Sequence, residues 1–243
     1  MHVFLSASQG RCVKASIIIP VFNEEGTIGE VIDRVLAVDL GMLEKEIVVA
    51  DDGSTDHTHA IAEAYAHRHP ELVCLVTAPS NAGKGAAIRM GLTRATGDIL
   101  VVQDADLELD PADLPLVVGP IARGEYTVVY GSRFMRSVSH IPTPTLLANG
   151  FLSLLTNLLF GSHLTDMETA YKAFRREALK GVTLESNGFE IEPEITAKIL
   201  RRGLPIFEVP IRYAPRTAGQ GKKIRLSDGL KAIRALFRYR LAA

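Results

Sequence analysis

The chain has 243 residues, 47% of them apolar and 23% charged, with a formal net charge of −1. Such a composition buries a full core and excludes a disordered chain, and the near-neutral balance lacks the basic signature of a protein whose bulk partner is nucleic acid. Two cysteines, Cys12 and Cys74, in neither metal-like nor redox-like spacing, fit a reducing, cytoplasmic compartment.

Residues 1–14 read as a loose leader without the basic-then-apolar pattern of a signal peptide. Four runs follow, SIIIPVF (16–22), EIVVA (46–50), LVCLV (72–76) and DILVVQ (98–103), each β-branched and apolar on both alternating faces. That pattern predicts strands covered on both sides, as in a parallel sheet. Helical patterns at about 25–38, 55–68 and 84–95 lie between them, each after a polar or glycine-rich turn. Alternation of this kind predicts βαβ units, with ligands bound beyond the carboxyl ends of the strands. Those ends are acidic and polar: Asn23 and Glu24, Asp51 and Asp52, Asn81 and Lys84, Asp104 and Asp106.

After Ala122 the alternation stops. A strand is expected at 126–132, an amphipathic helix over 146–160, a strand at 169–175, a helix near 192–202 and a basic amphipathic tail over 226–243. In the 146–160 segment Leu147, Phe151, Leu154, Leu155 and Leu158 share one face, and Asn149, Ser153, Thr156 and Asn157 the other. With no Lys or Arg on the polar face, the apolar face is expected to pack into the core; the apolar stretch falls short of the roughly 20 residues that span a bilayer. The tail aligns Leu230, Ile233, Phe237 and Leu241 beside Lys231, Arg234 and Arg238, a pattern that suits an anionic bilayer surface and also an ordinary surface helix. The expected organisation is one domain from residue 15, with a nucleotide half to about 122 and an acceptor half to about 225.

Asp104 and Asp106 follow a buried strand and, in extended backbone, face one side, where they can share a hard cation such as Mg²⁺ or Mn²⁺ that also binds diphosphate oxygens. Asp51 and Asp52 precede a helix; one acid suits an Asp-Gly turn, and the second is free to accept hydrogen bonds from a nucleobase. The segment Asn81-Ala-Gly-Lys-Gly is no P-loop, because Ala78 and Gly85 stand where a glycine and a hydroxyl are needed. It can still offer backbone N–H groups and Lys84 to a nucleotide, or serve only as a helix cap.

In this order SIIIPVFNEE, VADDGSTD, NAGKGAAIRMGL, QDADLE, VYGSRF, TDMETAYKAFRRE and EPEITAKI resemble glycosyltransferase family 2, in its dolichyl-phosphate-mannose-synthase-like branch, over about residues 16–240. The resemblance implies a GT-A fold, a mostly parallel sheet flanked by helices, and a metal-dependent inverting hexosyltransferase using a UDP- or GDP-sugar. It implies that Pro20, Phe22, Glu24 and Asp51 line the nucleotide pocket, that Asp104 and Asp106 serve diphosphate and metal with Glu108 as a further ligand, and that Arg133 faces an acceptor phosphate. Many such enzymes use polyprenyl phosphate, which would bring peripheral contact with the cytoplasmic face of a membrane. Thr169-Ala170-Tyr171 departs from the branch's usual Ser/Thr-Gly-aromatic.

A phosphate acceptor is already mostly dianionic at neutral pH and needs cations more than a base. Arg133 suits it, with Arg136, His140, Arg216, Lys222 and Lys223 as further positive charge. A hydroxyl acceptor on a saccharide or protein would need a base, sought among Asp166, Glu190, Glu192 and Glu194. A nucleotide-sugar-binding protein without turnover is the reading from another class.

Overall fold

The computed structural model describes residues 12–136, 141–216 and 226–241. His140, Lys222 and Lys223 and most of the expected leader lie outside the described residues, and the first strand begins within that leader, at Lys14. The first half alternates as the sequence predicts: β1 (Lys14–Val21), α1 (Ile28–Ala37), β2 (Glu44–Asp51), α2 (Thr58–Arg68), β3 (Val73–Thr77), α3 (Lys84–Arg94) and β4 (Ile99–Val102). Then come a 3₁₀ turn (Pro111–Asp113), α4 (Leu114–Ala122), β5 (Val128–Ser132), α5 (Thr143–Phe160), β6 (Lys172–Arg175), α6 (Arg176–Leu179), α7 (Ile191–Arg201), β7 (Phe207–Pro210) and α8 (Leu226–Leu241).

The seven strands form one sheet in the order β3-β2-β1-β4-β6-β5-β7. Parallel pairing runs Ile17↔Ile47, Ile47↔Val73 and Ile17↔Val101, while β6 alone is antiparallel, to both β4 and β5. Period-2 alternation divides the core between the two faces. Ile17, Ile19, Ile47, Val49, Ile99 and Val101 meet α1, α2 and α4 on one side. On the other, Ile18, Val48 and Leu100 lie under the α3 side, and Val102, Tyr130 and Phe174 meet Ile88 of α3 and Ile191, Ile195 and Ile199 of α7. Gly91 lets α3 lie against β1, for a Cβ there would stand 2.5 Å from Ile18 Cγ2.

Helix α5 reverses its expected orientation. Its polar face is the inner one: Ser153 Oγ accepts from Met167 N (3.0 Å), Thr156 is fully buried, and Asn157 holds both Leu164 N and Leu164 O at 2.8 Å. Leu147, Phe151, Leu154 and Leu158 point outward, 55–76% exposed. The hydrogen-bonding needs of the Leu164–Met167 segment, which has no ladder of its own, draw the polar side chains inward and turn the apolar stripe out. Leu155 is half-buried, packing with Leu152, Leu164 and Leu236 of α8.

Candidate active site

A cavity of about 550 Å³ opens where the strand ends collect, and α5, α7 and α8 help to wall it. Pro20, Phe22, Glu24, Asp52, Lys84, Asp104, Asp106, Glu108 and Arg133 all line it. Two expected members do not. Asp51 is fully buried beneath the rim, accepting from Ser54 N (3.0 Å) with His59 Nδ1 at 2.9 Å. Asp166, also fully buried, receives Arg133 N at 2.9 Å, Nε at 2.7 Å and Nη2 at 2.6 Å. Such a bidentate clamp spends the carboxylate on orienting Arg133, so Asp166 is a positioning group and not an exposed base. Arg133 itself lines the cavity, its guanidinium carbon 5.2 Å from the centroid of the Tyr213 ring.

The segment 81–85 acts as a cap. Ala82 N and Gly83 N donate to the Asp52 carboxylate, the latter at 2.6 Å, while Gly85 N and Ala86 N donate to Asn187 O at 2.7 and 3.2 Å. Three of its backbone donors, at Ala82, Gly83 and Gly85, are therefore engaged by protein. Gly83 has φ +108° and lies so close to Asn187 that a Cβ would stand 2.4 Å from its carbonyl oxygen, so only glycine serves there. Lys84 reaches Asp104 Oδ1 at 2.8 Å and Glu192 Oε1 at 3.1 Å.

The paired acids converge by a route other than strand alternation. β4 ends at Val102, and Asp106 sits in a turn whose next residue, Leu107, has φ +61°, a conformation uncommon for a bulky side chain. Asp106 Oδ1 accepts from Glu108 N (3.1 Å). Burial, reinforced by repulsion from Asp104 and Glu108, pushes the Asp106 carboxyl up to about 7. A carboxylate that ionises only against its neighbours' field is one that a divalent cation would relieve, and the oxygen-only donors suit Mg²⁺ or Mn²⁺. Among the described residues no three His, Cys, Asp or Glu side chains form a ready metal cage. Glu108 is partly committed elsewhere, since its Oε1 accepts from Arg216 N at 2.7 Å.

Arg216 straps the site. Its Nε donates to Asp106 O (2.9 Å) and its Nη1 to Glu24 (2.9 Å), and Ala214 N reaches Glu108 O (2.9 Å). The base candidates on or beside α7 are equally engaged: Glu192 lies between Lys84 and Lys172, and Glu194 accepts from Glu185 N and Ser186 N. Glu190 lies outside the cavity lining.

Sequence reasoning missed Glu168, Lys172 and Tyr213. Glu168 lines the cavity, yet among the described residues its buried Oε1 has no hydrogen-bond partner. Burial, opposed by Lys172 and reinforced by Glu192, pushes its carboxyl up to about 7. Lys172 is 1% exposed, its ammonium 2.7 Å from Glu192 Oε2. A lysine inside AYKAF was the available signal, because a charge in a buried strand demands a partner.

The family model for glycosyl transferase family 2 matches residues 16–183. The hexosyltransferase Agl6 of low-salt glycan biosynthesis in Haloferax volcanii is 30% identical over 96% of this chain, which spans only 55% of that protein. The undecaprenyl-phosphate mannosyltransferase of Micrococcus luteus is 30% identical, with 93% of each chain covered. Glucosyl-3-phosphoglycerate synthase of Mycobacterium tuberculosis, solved with Mn²⁺, UDP-glucose and phosphoglyceric acid, superposes with a TM-score of 0.71 at 26% identity, over 94% of this chain and 80% of that one. The fold is thus the GT-A fold, and the chain belongs to glycosyl transferase family 2.

Proposed function

We propose that this protein transfers a hexosyl group from a UDP- or GDP-sugar to a polyprenyl phosphate at the cytoplasmic face of a membrane, inverting the sugar carbon. Asp104 and Asp106 would hold the divalent cation, which neutralises charge growing on the departing diphosphate. Pro20, Phe22 and Asp52 line the cavity and would meet the nucleotide, and Lys84 adds fixed positive charge beside Asp104.

The observation that carries the acceptor assignment is Arg133: an Asp166-oriented guanidinium opening into the same cavity as the paired acids. A dianionic phosphate held there needs no base, and an oxygen of the phosphate attacks the sugar carbon as the nucleoside diphosphate leaves. The names of the Micrococcus relative and of a polyprenol monophosphomannose synthase from Mycolicibacterium smegmatis support this acceptor class.

One observation favours a second reading. Glu168, its carboxyl raised to about 7 and its Oε1 without a partner among the described residues, is tuned as a general base for a hydroxyl acceptor. Incubation with labelled UDP- and GDP-hexoses, Mn²⁺ and polyprenyl phosphate tests both. Label in the organic phase is expected; label confined to water-soluble hydroxyl acceptors would overturn the lipid-phosphate reading.

A further inference from the structure

Helix α5 carries no charged residue in its 18 positions and, starting at Thr143 where the sequence marked only 146–160, is by length and composition alone long and apolar enough to cross a membrane, extending about 27 Å. Its inner face is nevertheless tied to protein through Ser153 and Asn157. Outward, Leu147, Phe151, Leu154 and Leu158 repeat at helical spacing with exposures of 68, 55, 56 and 76%. Isolated exposed leucines need no explanation, but a continuous stripe of four large side chains does.

Helix α8 packs against α5 through Leu236 and Ala232, which meet Leu152. Its own outward stripe is Leu230, Phe237 and Leu241, exposed by 68, 44 and 80%. On a 100° projection Lys231, Arg234 and Arg238 flank that stripe on one side and Arg240 on the other. The sole acid of the helix, Asp228, lies on the opposite side, lines the cavity and takes Lys231 Nζ at 3.4 Å, and Arg238 pairs with Glu185 at 2.8 Å, so Arg234 and Arg240 carry most of the basic flank. An apolar stripe between basic flanks is the pattern of a helix lying in the headgroup layer of an anionic bilayer.

The same two helices wall the cavity from within. Thr145, Ala148, Asn149 and Leu152 of α5 face it with Gly229 and Ala232 of α8. We propose that the outer faces of α5 and α8 together form the surface on which this protein docks to an anionic phospholipid bilayer, presenting the cavity mouth beside the membrane. This deepens the lipid-phosphate reading and rests on it for the direction of acceptor entry. A second copy of the chain is the weaker occupant, because a symmetric pairing would set the basic flanks of α8 against each other.

The test is flotation of the full chain, without substrate, on phosphatidylcholine vesicles with and without phosphatidylglycerol. Binding is expected only with the anionic lipid and should weaken with salt. Leu147→Glu and Leu158→Glu should each lower vesicle partitioning about tenfold or more, the scale of withdrawing one buried leucine, and Arg234→Glu should reduce the salt-sensitive part. These positions are exposed, so unchanged circular dichroism and thermal melting are expected of all three. Transfer to a short-chain, water-soluble prenyl phosphate should persist in the variants while transfer to vesicle-embedded acceptor falls. Failure of wild type to float on anionic vesicles, or undiminished flotation of the glutamate variants, overturns the docking surface even if prenyl phosphate is glycosylated. A dimer broken by the same substitutions would assign the face to a second copy. Absence of transfer to any prenyl phosphate, with flotation intact, would instead strike the acceptor reading.

Discussion

At the scale of single residues, Asp106 shows a conflict between stability and function. Burial and the nearby Asp104 and Glu108 hold its carboxyl up at about 7, so in the metal-free protein the ionised side chain strains against its neighbours. Asp106→Asn keeps the shape and removes the charge; it should stabilise the metal-free protein by about 1 kcal/mol or more while lowering transfer by about a thousandfold. Thermal melting in EDTA and initial rates with Mn²⁺ check the pair of effects. Glu168 has the same direction of shift without a metal role. Between its unfolded and folded values the native state binds the extra proton, so stability falls as pH rises from about 4.5 towards 7. Glu168→Gln removes that dependence and should gain about 1–2 kcal/mol over wild type between pH 5 and pH 8, the figure discounted because part of the side chain faces the cavity. Urea titrations at the two pH values measure it. Its activity separates the acceptors: a phosphate nucleophile leaves kcat within a few fold, whereas a hydroxyl nucleophile loses about a hundredfold or more.

At the scale of elements, α5 depends on what its polar side chains hold. Asn157 Nδ2 donates to Leu164 O, and Asn157 Oδ1 accepts from Leu164 N and Ser162 Oγ, all at 2.8 Å. Asn157→Leu leaves the two backbone groups unsatisfied and should cost about 2–3 kcal/mol, read as a lower urea midpoint, although it improves helix propensity and hydropathy. The same helix marks where sequence and structure part. Its period and its two faces were legible in the residues, but which face turns inward was decided by Leu164–Met167, the irregular segment just past its end, whose backbone needs partners that composition does not announce. The strands β1 to β4 were legible because β-branched runs covered on both sides admit few alternatives. β7 was not, being four residues with Glu208 and Pro210 in it, and α4 passed unremarked with Pro115 and Pro120 inside its run. The antiparallel direction of β6 leaves no mark in its composition. In the site, the acids at the strand ends could be read off as a set, whereas the engagement of Asp166 by Arg133 and of Asp52 by Gly83 joins residues 33 and 31 positions apart that no local pattern links.

At the scale of the whole molecule, a chain of charges crosses the sheet and joins the nucleotide-side elements to the later ones. Asp104 follows β4, Lys84 opens α3, Glu192 lies in the first turn of α7 and Lys172 begins β6, with successive ion contacts of 2.8, 3.1 and 2.7 Å. Lys172 also donates to Met167 O at 2.9 Å and to Thr169 O, so its ammonium fixes the segment that carries Glu168 towards the cavity. Burial would raise the Glu192 carboxyl, but Lys172 and Lys84 together outweigh it and hold it below the usual carboxylate range. Its stabilisation is therefore present above the unfolded value, about 4.5, and is lost as pH falls through the lower folded value. Glu192→Gln strands the Lys172 charge in the interior and should cost about 3–5 kcal/mol at neutral pH, the penalty of a buried ion without its partner. Replacing both ends, Lys172→Met with Glu192→Leu, removes that uncompensated charge and leaves Lys84 its contact with Asp104. The double variant should thus be more stable than Glu192→Gln, and its destabilisation well short of the sum of the two single substitutions. Urea unfolding of wild type, Lys172→Met, Glu192→Leu and the double variant in a double-mutant cycle, with Glu192→Gln alongside, measures the difference. Additive losses would mean that the ions are independently solvated and that this link between the two parts of the sheet contributes no coupling of its own.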